Sequence, residues 1–324
     1  MIYEIRHVTH YAYGMPTPFA RHVLRLMPCD RPGLRVLSRA LVVEPTPTER
    51  QDITDFFGNG MTSLAIDAAH EELLVTMVAR LDVSEPVLPD PAATPDLAAL
   101  RAAAFASADC GPRSPAHFLF ASRRVPLEPE IRAYVAESVR PGRPVLEAAL
   151  ELNDRINEDF AYVPGATDTD TPPAVSFRAR HGVCQDFAHV MISGLRGLGV
   201  PAAYVSGYLR TIPPAGQPRL QGADAMHAWV SVWCGPEAGW VELDPTNACA
   251  AGRDHIVLAI GRDYADVAPV EGVIVTSGGQ QLGVAVDVVP AGDEEDAAKA
   301  AAAPAAPGTA APAAVPPAPP PPAF

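Results

Sequence analysis

Hydrophobic and polar positions alternate along the first quarter of the chain and then change period. In residues 2–13, Ile2, Tyr3, Ile5, Val8, Tyr11 and Tyr13 form a loosely alternating run rich in β-branched and aromatic residues, the signature of a half-buried strand. Similar runs at 22–27, 36–44, 61–68 and 73–83 are split by proline and glycine turns, and their spacing predicts a β-sandwich-like domain over residues 1–85. Four prolines between 86 and 95 mark a crossing segment. The period then lengthens to that of a helix. Asp96 is placed to cap an Ala/Leu-rich helix, and Ile131, Tyr134, Val135 and Val139 fall on one face of 128–140. Residues 86–140 are therefore read as a Pro-rich crossing segment with helices.

A third pattern opens on Pro144 and sets Leu146, Ala149, Leu150, Asn153 and Ile156 at helical spacing over 144–157. Residues 183–198 repeat it, with Phe187, Met191, Leu195 and Leu198 at steps of four, four and three. Strands are predicted over 202–210, 226–233 and 239–245, the middle one alternating strictly. Alternating valines at 272–277 and 282–289 predict a last hairpin, which closes a core spanning 141–290. From 291 to 324 the chain is almost all Ala and Pro, a composition that cannot bury a core and predicts a disordered or polyproline II tail. The fold class is α+β.

Composition narrows the partners. Apolar residues make up 48% and charged residues 19% of the 324, enough for a buried core. A net charge of −14 argues against non-specific nucleic-acid binding, which needs a basic footprint. No window approaches the ~20 apolar residues of a membrane span, and the start MIYEIRHVTHYAY lacks the apolar stretch of a signal peptide, so no membrane partner is expected. Five cysteines, an odd number with no CxxC pair, fit a reducing, cytoplasmic setting rather than a disulfide framework.

Cys184 lies in the first turn of the helix predicted over 183–198. Unpaired backbone N–H groups and the helix dipole favour a thiolate there, and the preceding Arg180, His181 and Gly182 add a turn and positive charge. A buried cysteine in an apolar helix is otherwise an inert small hydrophobe. His227 opens the alternating strand, on the side that carries Trp229, Ser231 and Trp233; Asp244 ends the next strand. Their midpoint falls in the 234–238 turn, so an antiparallel hairpin sets the carboxylate beside the imidazole, within a residue or so of register. Nucleophile, base and orienting acid are then all present. Cys184, His189 and His227 fit no usual zinc spacing and would leave Asp244 idle; neither metal nor cofactor is expected. Asp186 and His189 sit near one face of their helix and are read as structural, as are the packing tryptophans Trp229 and Trp240 and the turn residues Asp263 and Asp266.

The blocks GVCQDFAHVMISGLRGLGVPAAYVSGYL (182–209), DAMHAWVSVW (224–233) and GWVELDPTN (239–247) resemble the core of the bacterial transglutaminase-like superfamily. HVTHYAY, LRLMP, DFFGN (55–59) and GRDYADVAPVEG (261–272) resemble its flanking regions. The resemblance implies a papain-like core in which Cys184, His227 and Asp244 form a catalytic triad, acting on a protein or peptide amide by hydrolysis or transamidation. The backbone N–H of Cys184 is the expected first oxyanion donor. Animal transglutaminases add a Trp before the cysteine, whereas all three Trp here follow it. Tyr162 is the best-placed substitute by order in the chain, with core packing as its other reading, and Gln185 is a further candidate. No D-x-D-x-D-G calcium loop is visible. The contrasting reading is a binding or scaffold module that works through its β domain.

Overall fold

A computed structural model describes residues 1–212, 222, 224–276 and 278–292; the predicted tail from 293 onward lies outside the described residues. The first six strands are β1 (Ile2–Thr17), β2 (Phe19–Met27), β3 (Leu34–Glu44), β4 (Glu49–Thr54), β5 (Gly60–Ile66) and β6 (His70–Val83). Helices follow: α1 (Leu97–Ala106), capped by Asp96, whose carboxylate accepts from the Ala99 N–H at 2.9 Å, α2 (Pro129–Ala136) and α3 (Val145–Asp159). Next come β7 (Ala161–Tyr162), α4 (Pro173–Ala179), β8 (His181–Gly182), α5 (Cys184–Gly197), β9 (Ala202–Leu209), β10 (Ala225–Trp233), β11 (Trp240–Asp244), β12 (Cys249–Ala250), β13 (His255–Gly261), α6 (Tyr264–Val267), β14 (Val270–Val275) and β15 (Gln280–Pro290).

Two four-stranded sheets, ordered β15-β1-β6-β3 and β14-β2-β5-β4, enclose an apolar core through Tyr3, Leu24, Ile66 and Met77. The last two strands correct the sequence reading. β14 pairs with β2 and β15 with β1, so the alternating valines do not form a hairpin with each other but divide between the two sheets. Each valine run is periodic enough to announce a strand, but nothing local says which edge it will join. β4 escaped prediction because all six of its residues are exposed, leaving no buried face to create alternation.

The third sheet is ordered β12-β11-β10-β9-β13. Phe187, Met191 and Leu195 of α5 share one core with Ala228, Val230 and Val232 of β10, and with Leu152 and Ile156 of α3. Tyr208, Ile256 and Leu258, from β9 and β13, belong instead to the core of the sandwich. Side-chain bonds reinforce this joint. Tyr3 donates its hydroxyl to Asp254 at 2.7 Å, and the Asn59 amide both donates to the Ile260 carbonyl and accepts from the Ile260 N–H, each at 2.8 Å. The sandwich is thus packed into the same body as the third sheet. Among the described residues no helix is long and apolar enough to cross a membrane.

Candidate active site

The segment leading into α5 is shaped by Asp186. Its carboxylate accepts from the Val183 N–H at 2.8 Å, from Ser176 at 2.8 Å and from Thr167 at 2.6 Å, tying the helix start to α4 and to the loop before it. This carboxylate lies so close over Gly182 that a Cβ there would meet Asp186 Oδ2 at 2.5 Å, so residue 182 has to be glycine. Cys184 is the first residue of the helix, half-buried, and no acceptor among the described residues takes its backbone N–H. The positive charge anticipated just upstream goes elsewhere: the Arg180 guanidinium lies over the rings of Phe177, Tyr134 and Phe160 at 4.4, 4.9 and 4.9 Å.

Strands β10 and β11 bring in the other two residues. Their register runs from Val230 opposite Leu243 to Trp233 opposite Trp240. Continued one step, it sets Asp244 level with Trp229, two residues from His227. The hairpin turn is centred about one residue later than the sequence midpoint, making the pair diagonal neighbours rather than directly opposed. An offset of two keeps both side chains on one face and within reach. His227 Nε2 and Asp244 Oδ2 lie 2.7 Å apart, with the carboxylate side chain fully buried and the imidazole only 8% exposed. Asp244 holds Nε2, and Cys184 lies near enough to act on the charge of the same ring.

Electrostatics follow from this geometry. Burial on its own would lower the His227 pKa, but the hydrogen bonds and negative charge of Asp244 and Cys184 outweigh it and push the ring up from 6.5 to about 10. For Asp244, burial acts to raise the pKa; hydrogen bonds from His227 and His255, the His227 charge and Asn247 overcome it and hold the carboxyl well below its usual range. Linkage gives a sign. A raised histidine contributes stability that is fully present below its unfolded pKa near 6.5 and is lost as pH climbs toward 10. The thermal midpoint should therefore fall between pH 7 and 10, and His227→Gln should flatten that decline. An identical decline in both proteins would show that the ring is not held as an imidazolium.

Two residues with no role in the sequence reading join this group. His255, at the start of β13, sets its Nε2 3.0 Å from the same Asp244 Oδ2. The Asn247 side chain donates to that oxygen at 2.6 Å, while Asp244 Oδ1 accepts the backbone N–H groups of Thr246 and Asn247 at 2.9 and 3.3 Å. The run HIVLAIG (255–261) is apolar and β-branched enough to predict a strand, and a histidine at its start was the available signal. Gly207 of β9 makes the arrangement possible. It pairs with His227, and a Cβ there would meet the Trp229 ring at 2.5 Å, so the indole spans the gap and packs edge-on against His255 at 5.3 Å. The ligand atoms of His227, Asp244 and His255 lie within 4.8 Å of one another, the donor types of a metal centre, yet here each is already engaged in a hydrogen bond. His189, the third member of the metal set considered from sequence, accepts from the Tyr264 N–H at 3.3 Å and packs at a tilt against Tyr204.

The remaining candidates separate. Tyr162 is 54% exposed and sets its ring edge-on to the buried Phe187. It pairs with Gly182 across the short β7–β8 ladder, and burial together with the nearby Cys184 charge raises its pKa. Gln185 is buried and its amide donates to the Thr169 carbonyl at 3.2 Å, tethering the loop before α4. Asp263 caps α6 and also accepts from the Arg124 N–H, Asp266 pairs with Arg262, and Trp229 and Trp240 donate to Glu242 and to the Arg113 carbonyl.

Residues 3–82 match the bacterial transglutaminase-like N-terminal region and residues 132–245 match the transglutaminase-like superfamily. An uncharacterized protein of Mycobacterium tuberculosis H37Rv is 37% identical over 295 residues, 89% of this chain and 92% of that one. This chain belongs to the transglutaminase-like superfamily. A protein-glutamine gamma-glutamyltransferase of Pseudomonas aeruginosa is 41% identical over 106 residues, 32% of this chain and 16% of that protein. The fold is shared with a candidate cysteine protease from Cytophaga hutchinsonii, at a TM-score of 0.70 and 20% identity over 90% of this chain and 91% of that one. That likeness establishes the α+β architecture of this superfamily member.

Proposed function

We propose that this superfamily member is an enzyme of thiol-dependent acyl transfer at amides, with Cys184 as nucleophile, His227 as base and acid, and Asp244 as the group that orients and charges the ring. The observation that carries this is the buried 2.7 Å contact between His227 and Asp244, with Cys184 at the start of α5 near enough to act on the same ring. His227 holds the proton given up by the thiol as the imidazolium that Asp244 supports, and the sulfur attacks the carbonyl of a glutamine carboxamide or a peptide bond. The oxyanion is met by the Cys184 N–H, with the Tyr162 hydroxyl as second donor; Gln185 serves by holding the loop beside it. Imidazolium then protonates the departing ammonia or amine. The thioester passes to water, which makes a peptidase or amidase, or to an amine, which makes a transglutaminase.

No metal or cofactor enters these steps. The scaffold alternative, a module working through its β domain, would need neither a charged buried pair nor a thiol beside it. A cytoplasmic site of action is supported by the five scattered free cysteines. The test is direct: purified protein with a glutamine-containing peptide, with and without a primary amine, the products weighed. A mass gain of one amine less ammonia marks transfer; deamidation or cleavage marks hydrolysis. Unchanged peptide across a broad set of amides would contradict the proposal.

A further inference from the structure

We propose that His255 is a positioning residue for this site, a second imidazole that fixes the carboxylate on which His227 depends; the inference rests on the acyl-transfer reading above. Its tautomer follows from its partners. The Gly252 backbone N–H, which can only donate, points at His255 Nδ1 at 3.2 Å, so the ring proton sits on Nε2 and is directed at Asp244 Oδ2, 3.0 Å away. The same oxygen receives His227 Nε2 at 2.7 Å. Two imidazole N–H groups from strands at different positions in the sheet thus converge on one carboxylate oxygen, and both rings are only 8% exposed.

The supports of Asp244 divide by origin. Oδ1 is held by the loop that follows β11, through the Thr246 and Asn247 N–H groups, and Asn247 adds its side chain to Oδ2. All of these move together with that loop. His255 is different: it comes from β13, on the far side of β9, and anchors Oδ2 to the body of the sheet. The Trp229 indole reinforces this bridge by lying near-parallel to His227 (28°) and edge-on to His255 (78°). Without the His255 donor the carboxylate keeps its loop bonds but loses its tie to the sheet. The His227 ring, and with it the thiol, then follows the loop.

Alkylation of Cys184 reads this out without a known substrate. The full-length protein and its variants are treated with limiting iodoacetamide at pH 7 and the cysteine-containing peptides quantified. His255→Phe keeps an aromatic ring against Trp229 but has no N–H, whereas His255→Gln presents an amide N–H near the place of Nε2. His255→Phe should slow modification of Cys184 about tenfold, and His255→Gln should stay within about threefold of the native rate, the scale of a misplaced catalytic group. In an Asp244→Asn background the two replacements should differ by less than about twofold, since their shared target has changed. A native rate for His255→Phe with a slow His255→Gln would assign the residue to packing and overturn the inference. Equal slowing in both backgrounds would do the same. Should Cys184 of the native protein prove no more reactive than Cys110, the acyl-transfer reading itself falls, a result distinct from either.

Discussion

Cys184→Ala should abolish turnover on any amide the native protein accepts, a loss of at least about 10⁴-fold in kcat, because no covalent intermediate can form without the sulfur. No other thiol is positioned to replace it. Burial pushes Cys234 up to about 12, and burial with the Asp244 charge pushes Cys249 up to about 11, so neither supplies thiolate near neutrality. The helix should survive the change. Its start is secured by Asp186 through Val183, Ser176 and Thr167, none of which involves the sulfur, and alanine is the best of helix formers. A thermal midpoint within a few degrees of the native value, together with lost turnover, is the expected pair of results. Substantial amide turnover by a folded Cys184→Ala protein would mean that the chemistry does not pass through sulfur.

Asp244→Asn should be nearly as damaging, by about 10³–10⁴-fold in kcat, and should also destabilise the fold by about 1–3 kcal/mol. An asparagine in papain-like enzymes can accept from the ring, so a mild loss would be the simple expectation from chain order alone. The donors around this carboxylate argue otherwise. Oδ2 accepts from His227, His255 and Asn247, and Oδ1 accepts two backbone N–H groups. Whichever way an amide is turned, its NH2 faces donors. The substitution also removes the charge that holds His227 at about 10. Cys184 should rank at or above His227, and His227 above Asp244, with losses that do not add, because the proposed mechanism uses the three as one unit. Kinetics of single and double variants beside their unfolding curves would test this. A loss below tenfold for Asp244→Asn would show that the carboxylate charge is dispensable.

Much of the α+β fold could be read from periodicity because most elements bury a single face. Residues 2–13 and 226–233 alternate, and Phe187, Met191 and Leu195 recur at helical spacing, since each lines one core. Pairing between distant strands left no such local trace: the valine runs β14 and β15 look like a hairpin and yet complete separate sheets. The exposed strand β4 and the short helix α4, entered through Pro172 and Pro173, lacked a legible apolar face. Cys184, His227 and Asp244 were legible as a set because each sits at an element boundary with a definite chemical type. His255 and Asn247 were not, because their roles exist only through Asp244: one reaches it across β9 from another strand, and the other by the turn geometry after β11. Arg180 shows the opposite error, a charge that sequence proximity assigns to the cysteine and that folding turns into a cage of three rings.

In the proposed mechanism Cys184 carries the acyl group. The most direct measurement is to mix the full-length protein with an excess of a glutamine-containing peptide, quench in acid within the first turnovers, and weigh the intact protein before mapping the adduct. The expected gain equals the peptide mass less ammonia for a carboxamide, or the mass of the N-terminal cleavage product, as its free acid, less water for a cleaved bond. This adduct should lie on the peptide bearing Cys184, discharge with hydroxylamine, and be absent from Cys184→Ala. Product formation with the adduct on another residue, or with the same adduct persisting in Cys184→Ala, would contradict it.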